Sequence, residues 1–410
     1  MHDYLRLGLV VAQTTLCIPY WLIVFLRSAN RQRVSWSYGR AVLIAIIYSM
    51  YDRGIRQGHL NVFIPPPLKD GDALLKTIGQ PSNRKDGALM ISPAPLEKVG
   101  KQLIVAASRN GIRVGDAPVL GFWYGARDKL GRVGGPATPD ERVLLNIHGG
   151  GFLMETAGSS SKATVWIHRV LKTTRSISRT FMPEYRLCLR NPEFPDRWLN
   201  PFPTAILDCF AAYLYLLELG FKPKNIVLSG DSAGGNLALT LAHLLTITGI
   251  DLPARIVVLS PATEVYLSNT GPTSSAVTNH LSDYATPFFV HFASANALKG
   301  PGYTINELAR EMWVAIGGSD VSSSQQKGWF AGLASGTTRT MILAGGAECS
   351  LDGMRRLRDR ILKDVGEGNT DRLVWYEEPE GTHDWPNVPF FEPEGMRAVQ
   401  AVASFIDALP

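Results

Sequence analysis

The feature that most constrains this chain is the stretch IVLSGDSAGGNLAL at residues 226–239. Its opening run is apolar and β-prone, and its closing run suits a helix. Between them Gly230, Asp231, Ser232, Ala233 and Gly234 fit G-x-S-x-G. In that pattern a strand turns sharply into a helix and lifts a serine hydroxyl clear of a sheet edge. Glycines flank the serine because side chains there would collide with neighbouring backbone. The pentapeptide is built from common residues, so its weight depends on whether the chain also supplies a base, an acid and a place for a developing negative charge.

From about residue 114 the hydrophobic pattern alternates between strand and helix. It predicts strands over 118–124, 142–147, 225–228, 255–259, 340–344 and 373–377. Helices are predicted over 159–171, 205–219, 237–245, 355–365 and 396–409. Such alternation implies an α/β fold with a mostly parallel central sheet and helices on both faces. Residues 261–312 break the rhythm, mixing Ser, Thr, Asn and Pro with Phe288, Phe289, Val290 and Phe292. Two readings stand for them: an inserted lid lining an apolar pocket over the serine, or a surface excursion with its own small core.

Upstream, residues 61–100 are interrupted by Pro65, Pro66, Pro67, Pro81, Pro93 and Pro95 and read as an irregular connector or cap. Residues 7–26 carry no charge between Arg6 and Arg27. About twenty such residues at ~1.5 Å each suffice for a hydrocarbon core of ~30 Å. The expectation is a single-pass membrane helix; a signal peptide is the main rival, and no small-x-small cleavage pattern follows the run. A second apolar run, 41–50, is too short to span and predicts a helix lying on the membrane or on the fold. Three segments follow: 1–33 as anchor and basic flank, 34–113 as amphipathic helix and connector, and 114–410 as the catalytic unit.

The formal charge of +5 is local. Residues 1–40 hold Arg6, Arg27, Arg31, Arg33 and Arg40 against Asp3, a balance of +4, which leaves +1 for the rest of the chain. That body has no electrostatic footprint for nucleic acid. The arginines weigh more heavily after the apolar run, so the positive-inside rule places the catalytic unit in the cytosol. Cys17, Cys188, Cys209 and Cys349 are too scattered for a disulfide framework or a zinc site, and there is no N-x-S/T sequon, which agrees with a cytosol-facing body.

A serine hydroxyl needs a base to take its proton. Of eight histidines, His383 lies on a loop after the last predicted strand, where strand ends expose reactive groups, and fits the chain order serine, acid, histidine. His168 and His243 fall on predicted helices, His280 and His291 in the inserted segment, and His148 in a glycine loop. Glu348 follows the 340–344 strand and a Gly-Gly pair and fits as the acid, with Asp352 as the alternative. Asp231, beside the serine, reads as a brace for the turn. The run His148-Gly149-Gly150-Gly151-Phe152 follows a buried strand, and its glycines let backbone N–H groups converge on one point, as an oxyanion site requires.

Taken together, HGGGF, NPFP with a following Asp, GDSAGGNLAL, GGAE and THDW resemble the hormone-sensitive-lipase-like group of α/β-hydrolases, particularly its fungal members. The resemblance runs from about residue 114 to the end. It implies the α/β-hydrolase fold, with Ser232 as nucleophile, His383 as base and Glu348 as acid. It also implies an oxyanion hole of the N–H groups of Gly150, Gly151 and Ala233. One departure is Glu348, where the group often carries aspartate. The implied reaction is hydrolysis of a carboxylic ester through an acyl-serine, with no metal or organic cofactor. The apolar insertion and anchor suggest a hydrophobic small-molecule ester, such as a sterol acetate, a lipid ester or a natural-product intermediate. The competing reading is acyl transfer or cyclisation at the same serine in a biosynthetic pathway of secondary metabolism.

Overall fold

Residues along the central strands alternate between two buried faces, the period-two pattern of a sheet covered on both sides. In this computed structural model, which describes residues 2–56, 87–127, 134–159, 161–190, 197–266, 270–287, 289 and 295–408, eight strands form one sheet. In chain order they are β1 (Ala88–Ile91), β2 (Val119–Gly125), β3 (Val143–Ile147), β4 (Arg179–Glu184), β5 (Ile226–Asp231), β6 (Arg255–Leu259), β7 (Arg339–Gly345) and β8 (Leu373–Glu378). The spatial order is β1-β2-β4-β3-β5-β6-β7-β8. Pairings from β4 through β8 are parallel, and β1 and β2 add an antiparallel edge.

Val143, Leu145, Ile226, Leu228, Ile256, Val258 and Ile342 face one core. Leu144, Val227, Val257, Leu259, Met341 and Leu343 face the other. Two long N-terminal helices precede the sheet, α1 (His2–Val24) and α2 (Tyr38–Arg56), and α3 (Lys101–Arg109) follows β1. Next come α4 (Val165–Thr173), α5 (Thr204–Glu218), α6 (Ala233–Ile247), α7 (Leu351–Val365) and α8 (Glu394–Asp407). Helices α3, α5, α6 and α7 bury Leu103, Phe210, Leu241 and Leu357 on the first face. Helices α4 and α8 bury Trp166 and Val399 on the second. Each such side chain stabilises the sandwich by roughly 1.5–3 kcal/mol when fully buried.

Two strands depart from the sequence expectation. β4 lies in a stretch for which no strand is predicted; its Pro183 is tolerated at the strand's C-terminal end. β1, four residues long, lies in the segment read as irregular connector, so the sheet begins upstream of the boundary drawn at 114. Most of that connector, with Pro65–67 and Pro81, lies outside the described residues. Helix α4 starts at Val165, later than expected. The described parts of 261–312 contain turns and one-turn helices, Ser275–Thr278, Ala295–Lys299 and Ile305–Leu308. Phe288, Val290, His291 and Phe292 lie outside the described residues.

The boundary between 33 and 34 separates two helices that pack as a pair. Phe25, just after α1, packs with Ala41, Val42 and Ala45 of α2. Helix α2 rests on the sheet-bearing body. Trp36, just before it, is fully buried edge-on to Phe391 at 5.6 Å, and its Nε1 donates to the Glu380 carbonyl at 3.2 Å. Arg40 makes a two-pronged pair with Glu394 at the start of α8, both bonds 3.1 Å.

Candidate active site

Strand β5 runs out at Asp231, and the chain turns at Ser232 straight into α6. Ser232 has φ 51° and ψ −117°, a region that costs an L-residue of order 1–3 kcal/mol. The turn is held by the Ser232 N–H donating to Leu259 O at 2.9 Å, and by the Ser232 carbonyl accepting from Ala262 N at 2.8 Å. Such tightness needs glycine nearby. A Cβ on Gly234 would sit 2.0 Å from the Ile147 carbonyl oxygen, so α6 could not start this close to β3. Asp231, fully buried, braces the turn from below: its carboxylate accepts from Gly149 N at 3.1 Å and from Trp166 Nε1 at 3.4 Å.

The loop after β8 delivers His383, and the loop after β7 delivers Glu348. His383 Nε2 is 2.9 Å from Ser232 Oγ, and His383 Nδ1 is 2.8 Å from Glu348 Oε2. Glu348 is fully buried, and its Oε1 accepts from Ser260 Oγ and from Gly345 N, both at 2.7 Å. With Oε1 held by these two donors, Oε2 takes the Nδ1 proton, which leaves Nε2 as an acceptor toward the serine O–H. Asp352, the alternative acid, begins α7 and accepts from Ser275 N at 3.0 Å instead.

Gly150 and Gly151 follow β3 with φ of 98° and 61°. A Cβ on Gly150 would lie 2.1 Å from the Met154 carbonyl oxygen. Gly149 spends its N–H on Asp231, whereas no acceptor among the described residues takes the N–H of Gly150, Gly151 or Ala233. Gly151, Ser232 and His383 open into one cavity of about 50 Å³, walled mainly by Phe152, Val265, Phe289, Leu298 and Val314. Phe289 and Leu298 come from the 261–312 segment, so that segment forms part of the wall.

His148 is buried, stacks on Tyr185 at 4.2 Å and binds Gly149 O through Nδ1 at 2.8 Å; burial pushes its pKa down to about 4. His243 stacks on Trp329 at 3.5 Å and is likewise pushed down to about 4 by burial.

The sequence reading missed the acids and hydroxyl around His383. Asp384 has φ 47° and places Oδ2 3.5 Å from His383 Nε2. Buried Asp283 accepts from Cys349 N at 2.7 Å and Ala285 N at 3.0 Å. Ser260 links Glu348 to the histidine loop, accepting from Asp384 N at 3.1 Å. Burial would push His383 down, but Asp384, Glu348 and Asp283 together overcome it and raise its pKa to about 10. Burial, with repulsion from Glu348, raises Asp384 and Asp283 to about 7 against the pull of His383. Adjacency in THDW was the one available sign of Asp384; the others come from distant segments.

Residues 144–363 match a family described as alpha/beta hydrolase fold. An acetyl-hydrolase of Streptomyces hygroscopicus is 29% identical over 66% of this chain and 77% of its own length. The hormone-sensitive lipase of Bos taurus is 33% identical over 30% of this chain, which is only 15% of that lipase. A crystallised esterase from the bacterial hormone-sensitive lipase family superposes with a TM-score of 0.56 at 23% identity, covering 92% of this chain and 99% of that one. That last likeness is one of fold.

Proposed function

The chain belongs to the hormone-sensitive-lipase-like α/β-hydrolases, and on that footing we propose that it cleaves a hydrophobic carboxylic ester with a small acyl group, using Ser232. The observation that carries this reading is the unbroken hydrogen-bonded run Ser232–His383–Glu348 opening into an apolar cavity. Ser232 Oγ attacks the ester carbonyl while His383 Nε2 takes the hydroxyl proton. Glu348 keeps the imidazole in the required tautomer and stabilises its charged form. The oxyanion that forms is received by the N–H groups of Gly150, Gly151 and Ala233. The intermediate collapses as His383 passes its proton to the leaving alcohol, giving an acyl-Ser232. Water, deprotonated by His383, then attacks the acyl carbon, the acid departs, and the proton returns to Ser232.

The 29% identity to an acetyl-hydrolase supports deacetylation as the particular reaction. The cavity's apolar wall suits a hydrophobic partner, and the apolar helix over residues 7–24 suits a substrate that resides in or near lipid. The test is turnover of p-nitrophenyl esters of increasing acyl length in ¹⁸O-labelled water. The expected result is a maximum at acetyl to butyryl, with label in the released acid. A maximum at long chains overturns the small-acyl reading, and p-nitrophenol release without labelled acid overturns hydrolysis in favour of acyl transfer or cyclisation.

A further inference from the structure

Helix α1 is apolar enough to cross a bilayer by length and composition, yet its packing describes a different placement. One side of it is closed. Val10 and Thr14 are 1% and 3% exposed, and Thr14 Oγ1 lies 3.1 Å from Ser49 Oγ of α2. Arg53 of α2 donates to Ser49 Oγ at 2.9 Å and to Gln13 Oε1 at 3.4 Å, and reaches Cys17 Sγ at 3.6 Å. At the far end, Tyr38 of α2 donates to the Leu22 carbonyl at 2.9 Å. Contacts therefore run along most of α1, antiparallel to α2.

Gln13 and Cys17 flank the midpoint of the apolar run, where a spanning helix would lie at the centre of the bilayer. Their partner there is an arginine, and a guanidinium at that depth is costly. Helix α2 is also fixed to the body by Trp36 and by the Arg40–Glu394 pair, so α1 cannot stand across a membrane while the hairpin is closed.

The opposite side of α1 is bare. Leu5, Leu9, Leu16, Tyr20 and Ile23 recur at helical spacing, with Leu16 80% and Ile23 69% exposed. No acidic residue follows Asp3 before Asp52, and exposed Arg27 stands at the end of the stripe, where a cationic side chain meets anionic headgroups. We propose that α1 lies in the plane of one leaflet, its Leu5–Ile23 stripe buried among the acyl chains, with α2 sandwiched between lipid and catalytic body. A continuous apolar stripe with a cationic end and no acidic rim fits a lipid surface.

This placement bears on the reaction proposed above. Tyr51 of α2 packs on Tyr284 at 5.6 Å, and Tyr284 stands edge-on to His383 at 5.9 Å. The hairpin is thus two rings from the imidazole, and an ester dissolved in the leaflet is presented beside the site.

The experiment uses full-length protein added to preformed phosphatidylcholine–phosphatidylserine vesicles. Wild type should float with them. The triple variant Leu9→Lys, Leu16→Lys, Ile23→Lys should lose more than about tenfold in bound fraction while still turning over soluble p-nitrophenyl acetate. Leu16→Lys alone provides the same reading should the triple variant not fold. In a Cys17→Ala background, an impermeant maleimide should label His2→Cys and Lys363→Cys equally on sealed vesicles. Protection of His2→Cys until detergent is added shows a spanning helix and overturns the proposal. Dimerisation without flotation makes a second copy the occupant and also overturns it. Absence of soluble-ester turnover in wild type, with flotation intact, removes the catalytic reading and leaves this one standing.

Discussion

Asp384 Oδ2 stands 3.5 Å from His383 Nε2, the same nitrogen that meets Ser232 Oγ at 2.9 Å. A carboxylate and a hydroxyl therefore share one imidazole nitrogen, and only the neutral imidazole can take the hydroxyl proton. Opposed by burial, the carboxylates of Asp384, Glu348 and Asp283 raise the pKa of His383. Because the histidine pKa is raised, the base form grows as pH rises, and the acid limb of the kcat/KM profile lies on the alkaline side of an ordinary histidine. Asp384→Asn keeps the shape and removes the charge. It should move that limb to lower pH by about one unit or more. An unmoved limb would show that Asp384 does not act on the base.

Glu348→Gln places an amide opposite His383 Nδ1 and lets the imidazole take the wrong tautomer. The expected loss is about 10³–10⁴-fold in kcat, measured on p-nitrophenyl acetate. Glu348→Asp keeps the charge but withdraws it by one methylene from the 2.8 Å contact, and a smaller loss of roughly 10–100-fold is expected. Equal losses in the two variants would mean that charge and tautomer at this position are irrelevant.

Ser260 supplies the contact that joins the two halves of the site. Its Oγ donates to Glu348 at 2.7 Å and accepts from the Asp384 N–H at 3.1 Å. Ser260→Ala leaves Glu348 Oε1 with the Gly345 N–H as its donor. A hydrogen bond to a charged group contributes about 1.5–3 kcal/mol, so kcat should fall by roughly 10–100-fold with KM little changed. A rise in KM with kcat intact would place Ser260 in substrate binding instead.

What could be read from the chain follows from how local each feature is. Ser232, Glu348 and His383 each follow a strand of the sheet and stand near a glycine or a marked turn, so short windows single them out. The structure brings the three within hydrogen-bonding distance. Ser260 also follows a buried strand but has no glycine beside it, and Asp283 follows no strand; both reach the site through contacts spanning 88 and 66 residues, which periodicity cannot see. β4 was not predicted, and it carries Pro183, whose effect on a strand depends on where in the sheet it falls. Apolar length alone singled out α1, but its relation to α2 rests on Arg53, a charge that lies outside the apolar run.

The glycines about the serine differ from one another in what they are for, and Gly234 is the sharpest case. It sits in the first turn of α6, where alanine is the better helix former by about 1 kcal/mol, so propensity alone favours Gly234→Ala. Packing opposes it. The added methyl would lie 2.0 Å from the Ile147 carbonyl and 2.6 Å from that of His148, both rigid backbone at the end of β3. Relief requires α6 to move away from β3, and Ser232 and Ala233 move with it. A shift of even ~1 Å at a reacting group can cost about 10²-fold in rate. Gly234→Ala should therefore lose at least that much activity along with thermal stability, seen as a lower melting temperature beside weaker fluorophosphonate labelling of Ser232. Full labelling at an unchanged melting temperature would show that the α6–β3 approach tolerates a side chain, and that the tightness of this turn is not what holds the serine.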